Sequence, residues 1–157
     1  MKRTNPTIAL LLLLTAAYAA SFAGMQGALR GLEVYFPSLH RPSWTPPLWL
    51  FGPAWTVLYA LIGFAAWKIW MAEPPRRAAL VFWWLQLALN ALWPWLFFAW
   101  GKLLFAFIES FILWLVILAT AFLFAPKDKL AARLLYPSLA WTAFATILNM
   151  VIWRMNP

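Results

Sequence analysis

The chain has no cysteine among its 157 residues, which removes disulfide frameworks, thiolate metal sites and cysteine nucleophiles together. It is almost as poor in acid and imidazole, with four Asp and Glu and one His. No paired carboxylates, histidine cluster or serine-histidine nucleophile set stands in the sequence, so no conventional catalytic constellation and no metal centre is legible. Charged residues make up only 10% of the chain, too few to solvate a globular surface, whereas 66% is apolar and 13 residues are tryptophan. The net charge of +8 would suit nucleic acid, but the basic residues sit in short connections and at the ends, with no basic stripe or arm. They read as topology signals and lipid-headgroup anchors, so the partner medium is membrane lipid rather than nucleic acid.

Cutting the chain at its charges and prolines leaves five apolar spans: Thr7 to Leu29, Pro46 to Trp70, Ala78 to Trp100, Leu103 to Ala125, and Lys129 to Trp153. Each is long enough to cross a hydrocarbon core of about 30 Å at about 1.5 Å per residue. Backbone groups in lipid must be satisfied within the segment, so the spans are helices and the fold class is an all-α membrane protein, a five-transmembrane-helix bundle. Only Gly101 and Lys102 separate the third span from the fourth, which predicts a tight hairpin with glycine ending the first helix. The one long connection, Arg30 to Thr45, carries His40 and lies on the same side as Lys102 and the C-terminal residues.

Lys2, Arg3, Lys68, Arg76, Arg77, Lys127, Lys129 and Arg133 fall on the N-terminal side, against Arg30, Arg41, Lys102 and Arg154 on the other. The excess places the N-terminus in the cytoplasm, in a cell membrane of bacterial type. The first span also has the charge, apolar core and small residues of a cleavable signal peptide. Its small residues have a second use: Ala16, Ala20, Gly24 and Ala28, and Ala19, Ala23 and Gly27, form two ridges that admit a close neighbour, within the chain or across a homodimer.

Residues 42 to 59, PSWTPPLWLFGPAWTVLY, open the second span with prolines and aromatics. Pro46 and Pro47 suit a first helical turn, whereas Pro53 frees a carbonyl near Trp49 and bends the helix, with Gly52 easing the bend. Such a segment persists in lipid where protein or a ligand covers it, so Trp44, Trp49, Phe51 and Trp55 are ligand-binding candidates. Interfacial anchoring is the competing role for Trp44 and Trp49. On the third span Gln86, Asn90 and Trp93 share one helix face, and on the fifth Trp141, Ala145, Leu148 and Ile152 share another, with Asn149 beside it. The two carboxamides either join helices or bind a polar ligand edge. Glu109, about 9 Å into the fourth span beside Lys102, is expected to snorkel or pair. His40, without a second histidine, reads as a solvated loop side chain.

Three stretches, HRPSWTPPLWLFGPAWTVLY at 40 to 59, QLALNALWPWLFF at 86 to 98 and KLAARLLYPSLAWTAFATILNMVIWRMN at 129 to 156, resemble the tryptophan-rich sensory protein and translocator-protein family (TspO/MBR). The resemblance runs through nearly the whole chain and implies a single membrane domain over residues 1 to 157, often dimeric, with an interhelical pocket for porphyrins and, in some members, sterols or synthetic aromatics. It implies no required cofactor; porphyrin or haem is the ligand. Trp55 and Trp141 take the positions of two tryptophans associated, in bacterial relatives, with light-dependent porphyrin breakdown, and Asn90 and Ala145 take pocket positions. The loop aromatic pair, commonly Trp-Tyr in the family, is Tyr35-Phe36 here, which adds Phe36 to the candidates. The cholesterol-recognition element of animal members has a central tyrosine where this chain has Met150 and Val151, so cholesterol is not expected.

Three functional classes follow from the resemblance. A receptor would stack protoporphyrin IX or haem on Trp55 and Trp141, its propionates near Arg41 or His40. An enzyme would degrade porphyrin photo-oxidatively through the same indoles. A transporter would move a hydrophobic cargo, although no pair of broken helices or inverted repeat is evident.

Overall fold

The computed structural model describes residues 5–72 and 77–157, with Arg77 described by its backbone alone. Lys2, Arg3, Arg76 and the Arg77 side chain, which carry part of the sidedness argument, lie outside the described residues. Among those residues there is no strand, and five helical segments are long and apolar enough to cross a bilayer: Pro6–Gly31, Leu48–Met71, Ala78–Ala99, Leu103–Phe124 and Lys129–Met155. The protein is an integral membrane five-helix bundle.

Helix α1 (Pro6–Gly31) starts where Asn5 Oδ1 accepts the Thr7 N–H at 2.9 Å, with Pro6 in the first turn, the position at which a missing N–H costs least. The connection after it is not all loop as the sequence suggested. It holds a short helix, α2 (Tyr35–Ser38), because Phe36 turns inward and packs on Phe97 and Phe98, with ring centroids 6.2 and 5.6 Å away. Burial holds the Tyr35 phenol above its ordinary pKa.

Helix α3 (Leu48–Met71) begins two residues later than expected. Pro46 precedes another proline, which drives it out of the helical region, and Pro47 serves as an extended N-cap with ψ 144. Pro53 stands inside α3 and offers no N–H to the Trp49 carbonyl. One turn on, the Thr56 hydroxyl donates to Gly52 O at 2.9 Å.

Helix α4 (Arg77–Pro94) does not continue regularly to Trp100. It widens into a π-helical turn over Trp95–Ala99, starting at the proline whose missing N–H interrupts the i to i−4 ladder. The turn fits into α1. Trp95 Nε1 donates to Ala23 O at 2.9 Å, and a Cβ added at Gly27 would lie 2.7 Å from the Trp95 ring. At Gly31 an added Cβ would overlap the Phe98 carbonyl oxygen. The notch that admits the neighbour is thus Gly24, Gly27 and Gly31, a ridge that crosses the two expected from sequence, while Ala19 and Ala23 stay exposed. As expected, Gly101 ends the hairpin's first arm: its φ of 60 is the left-handed conformation, and Lys102 N–H closes onto Leu96 O at 2.8 Å.

Helix α5 (Leu103–Phe124) packs against both α4 and the last helix. The fifth span, expected as one helix, is broken into α6 (Lys129–Arg133) and α7 (Tyr136–Met155). Pro137 cannot donate to the Arg133 carbonyl and its ring crowds it, so the chain turns at Leu134 and Leu135. Asp128 caps α6 by accepting the Ala131 N–H at 2.9 Å, and its other oxygen meets Lys68 Nζ at 3.0 Å. At the same end Trp67 Nε1 donates to Pro6 O at 2.9 Å. At the opposite end His40 N–H donates to Asn156 Oδ1 at 2.9 Å, and Asn156 Nδ2 returns a bond to His40 O at 2.8 Å. The long connection and the C-terminal residues therefore share a side, as the sequence implied.

Candidate functional site

Helices α3, α4, α5 and α7 converge on an aromatic cleft. One part is lined by Phe51, Trp55, Asn90, Trp93, Ser110, Leu113, Trp141, Thr142 and Ala145. The adjoining part keeps Phe51, Trp93, Trp141 and Ala145 and adds Phe36, Phe144, Leu148 and Asn149. Rings fill most of it. Phe51 meets Trp141 edge-on at 5.8 Å, Trp141 tilts against Phe144 at 6.1 Å, and Trp93 stacks on Phe97 at 5.2 Å. The two parts enclose only about 20 Å³ each, so the cleft is closed by its own side chains.

Its polar atoms are not all used. Asn90 Nδ2 donates to Gln86 O at 2.9 Å, one turn back on α4, which leaves Asn90 Oδ1 without a partner. Trp93 Nε1 and Asn149 Nδ2 are also buried and unpartnered. Buried polar atoms normally find a partner, so an acceptor and two donors held at an aromatic cleft suit a flat molecule with a hydrogen-bonding edge.

On the other face of α3 and α4 lies a larger space, about 380 Å³, bounded on its third side by α1. Phe51, Trp55, Asn90 and Trp93 line it as well as the cleft. A third opening, about 460 Å³, sits in the long connection around His40, Arg41 and Pro42 and reaches Leu48. Arg41 is drawn to one side of it, its guanidinium 4.4 Å from the centre of the Phe36 ring, a cation–π contact.

The structure brings Phe36, Phe51, Trp55, Asn90, Trp93, Trp141, Ala145 and Leu148 to the connected cleft. It does not bring the other candidates there. Trp49 is 71% exposed on the outside of α3, because it is six residues from Trp55 and so about 120° around the helix from it. Trp44, 46% exposed, sets its ring edge on Phe144 at 5.8 Å at the rim. His40 lines the loop opening, held by its backbone to Asn156. Gln86 is fully buried, lines none of these three spaces, and has both amide atoms unpartnered. Glu109 departs furthest from expectation. It neither snorkels nor pairs with Lys102: it is 5% exposed, and both carboxyl oxygens lack a partner among the described residues.

Several lining residues escaped the sequence reading. Ser110, Leu113 and Thr142 carry no motif of their own. Tyr59, tilted against Trp55 at 5.5 Å, stood at the end of the proline-rich stretch without a role. The signal for the α1 wall was the Gly24 and Ala28 spacing, read there as packing alone.

Comparison with known proteins places this arrangement. The model of the TspO/MBR family matches residues 7–154. The chain is 36% identical to Protein CrtK of Rhodobacter capsulatus over 142 residues, 88% of this chain and 89% of that one. It is 36% identical to Tryptophan-rich protein TspO of Chlorobaculum tepidum, with 88% and 90% covered. With the Translocator protein of Sus scrofa it shares 39% identity over 131 residues, 81% of this chain and 77% of that one. Bacterial and mammalian relatives thus align over most of their length with the same five-helix frame, and the chain belongs to the TspO/MBR family.

Proposed function

We propose that this protein is a membrane receptor that binds a planar tetrapyrrole, protoporphyrin IX or haem, in the aromatic cleft between α3, α4, α5 and α7. Family membership and the aromatic clusters support a ligand-binding role. The observation that carries the finer reading is the convergence of Trp55, Trp93 and Trp141 with Asn90 and Ala145 on one cleft. Indole faces favour flat π systems, and Ala145 leaves room where a larger side chain would intrude. Arg41 and His40, at the loop opening, are placed to meet carboxylates at the ligand's edge. The same reading takes the N-terminus as cytoplasmic and the protein as a homodimer, with Ala19 and Ala23 on a free face of α1.

The test is a titration of detergent-purified protein with protoporphyrin IX in darkness, following tryptophan quenching and the porphyrin spectrum. Saturable quenching, weakened by Trp55→Phe, Trp141→Phe and Ala145→Phe, is the expected result. Unsaturable partitioning, equal in every variant, would overturn the tetrapyrrole reading. Because Trp55 and Trp141 line the same cleft, light-dependent breakdown of the bound ring is a second reading. It requires illumination to bleach the porphyrin and Trp55→Phe to abolish the bleaching, whereas a receptor leaves the spectrum intact.

A further inference from the structure

The roomiest space within the bundle is not the aromatic cleft but the chamber between α1, α3 and α4, about 380 Å³ against about 20 Å³ for each part of the cleft. That size falls within the range of about 300 to 1,000 Å³ typical of small-molecule sites. Each wall contributes something different. On α1, Ser21, Gly24 and Ala28 keep the helix surface low. On α3, Gly52 is exposed, and a Cβ added there would meet nothing within 4 Å, so this wall is open. On α4, Asn90 is 4% exposed, and its Oδ1 is unpartnered, as is Trp93 Nε1. Three residues apart on a helix, the two side chains are neighbours, and an acyl chain filling the chamber would satisfy neither.

We propose that this chamber is a ligand site reached sideways from the bilayer, and that its occupant is a flat apolar molecule carrying a hydrogen-bond donor beside an acceptor. The donor, an N–H or O–H, meets Asn90 Oδ1; the acceptor, a carbonyl, carboxylate or imine-type nitrogen, takes the Trp93 indole N–H. The inference rests on the ligand-binding reading above and extends it, because Phe51 and Trp55 line both spaces and stand between them. A molecule seated in the chamber lies against the same rings that close the cleft.

The absence of cysteine supplies the test. Gly52→Cys puts a single thiol on the chamber wall, Ser21→Cys puts one on the facing helix in case the first variant folds poorly, and Phe122→Cys puts one on an exposed face of α5 as a control. Each protein, in lipid nanodiscs and in darkness, is labelled with an uncharged maleimide with and without saturating protoporphyrin IX. The expected result is labelling slowed at least tenfold at the chamber positions and unchanged at Phe122→Cys. Labelling unaffected by the porphyrin, while tryptophan quenching still saturates, would leave the chamber to acyl chains and overturn the proposal alone. Absence of saturable quenching in the cysteine-free protein would overturn the tetrapyrrole reading and this one with it. The donor requirement is read with 2-quinolone, whose N–H and carbonyl are adjacent, against N-methyl-2-quinolone. Protection at least tenfold weaker for the methylated probe is expected, and equal protection would overturn it.

Discussion

Phe51 on α3 and Trp141 on α7 meet with ring centroids 5.8 Å apart and planes at 78°. This edge-to-face contact joins two helices across the cleft, and its geometry is the one that aromatic quadrupoles favour. Both rings line both parts of the cleft, so the pair divides a space that would otherwise be continuous.

Phe51→Ala should therefore do two opposite things. It removes an aromatic pair worth about 0.5 to 1.5 kcal/mol and lowers the melting temperature. It also joins the cleft to the α1 chamber, so porphyrin quenching in a stopped-flow experiment should become faster. An association rate equal to that of the unaltered protein would mean that Phe51 does not restrict access.

Ala145→Phe places a ring where the cleft has almost no free volume. Saturable porphyrin binding should weaken at least tenfold, about 1.4 kcal/mol, with helical circular dichroism unchanged. Tight binding in this variant would put the ligand elsewhere.

Gly31→Ala tests the notch that seats the π-helical turn. The new methyl would collide with the Phe98 carbonyl oxygen, a backbone atom that cannot rotate away. Overpacking of this sort costs about 1 to 3 kcal/mol, so thermal unfolding in detergent should shift clearly downward. Ala23→Gly, at an exposed position on the same helix, should lose no more than about 1 kcal/mol. Equal stability of Gly31→Ala and the unaltered protein would contradict the close approach.

Asp128→Ala bears on pH. Burial raises the Asp128 pKa, but the Ala131 N–H, the Lys68 ammonium and the Leu130 N–H outweigh it and hold the carboxyl below its ordinary value of 3.8. A group depressed in this way contributes stability above its unfolded pKa, and the contribution is lost as pH falls through the folded one. At pH 7 the variant should be less stable by about 1 kcal/mol, the usual worth of an N-cap, and the gap should close below about pH 4. A gap that stayed constant down to pH 3 would show that the charge plays no part.

The five spans, the Gly101 turn and the side shared by His40 and Asn156 were legible because length, hydropathy and a single glycine settle them. The π-helical turn was not. Pro94 signals an interruption in the ladder, but whether the helix kinks, ends or widens depends on what receives it, here Gly27 and Gly31 of α1. Similarly, Pro137 was visible, yet the apolar run on either side concealed the break at Leu134 and Leu135. At the site, helical spacing correctly grouped Asn90 with Trp93 and Trp141 with Ala145. The same spacing failed for Gln86, one turn from Asn90, because it cannot tell whether the facing helices meet or part at that level. Glu109 was misjudged for a related reason: depth along a helix was inferred, whereas the side its carboxyl faces is set by α5 packing between two neighbours.

The widened turn at Trp95–Ala99 also bears on changes of chain length. A π-turn holds one residue more than an α-turn, so deleting a single residue there would let the ladder close regularly and rotate all that follows by about 100°. Gly101 would then reverse the chain in the wrong direction, and α5 would meet α4 with a different stripe. This short stretch should accept many replacements of its exposed side chains yet tolerate neither gain nor loss of a residue, whereas the α6–α7 corner, already irregular, has slack to absorb one.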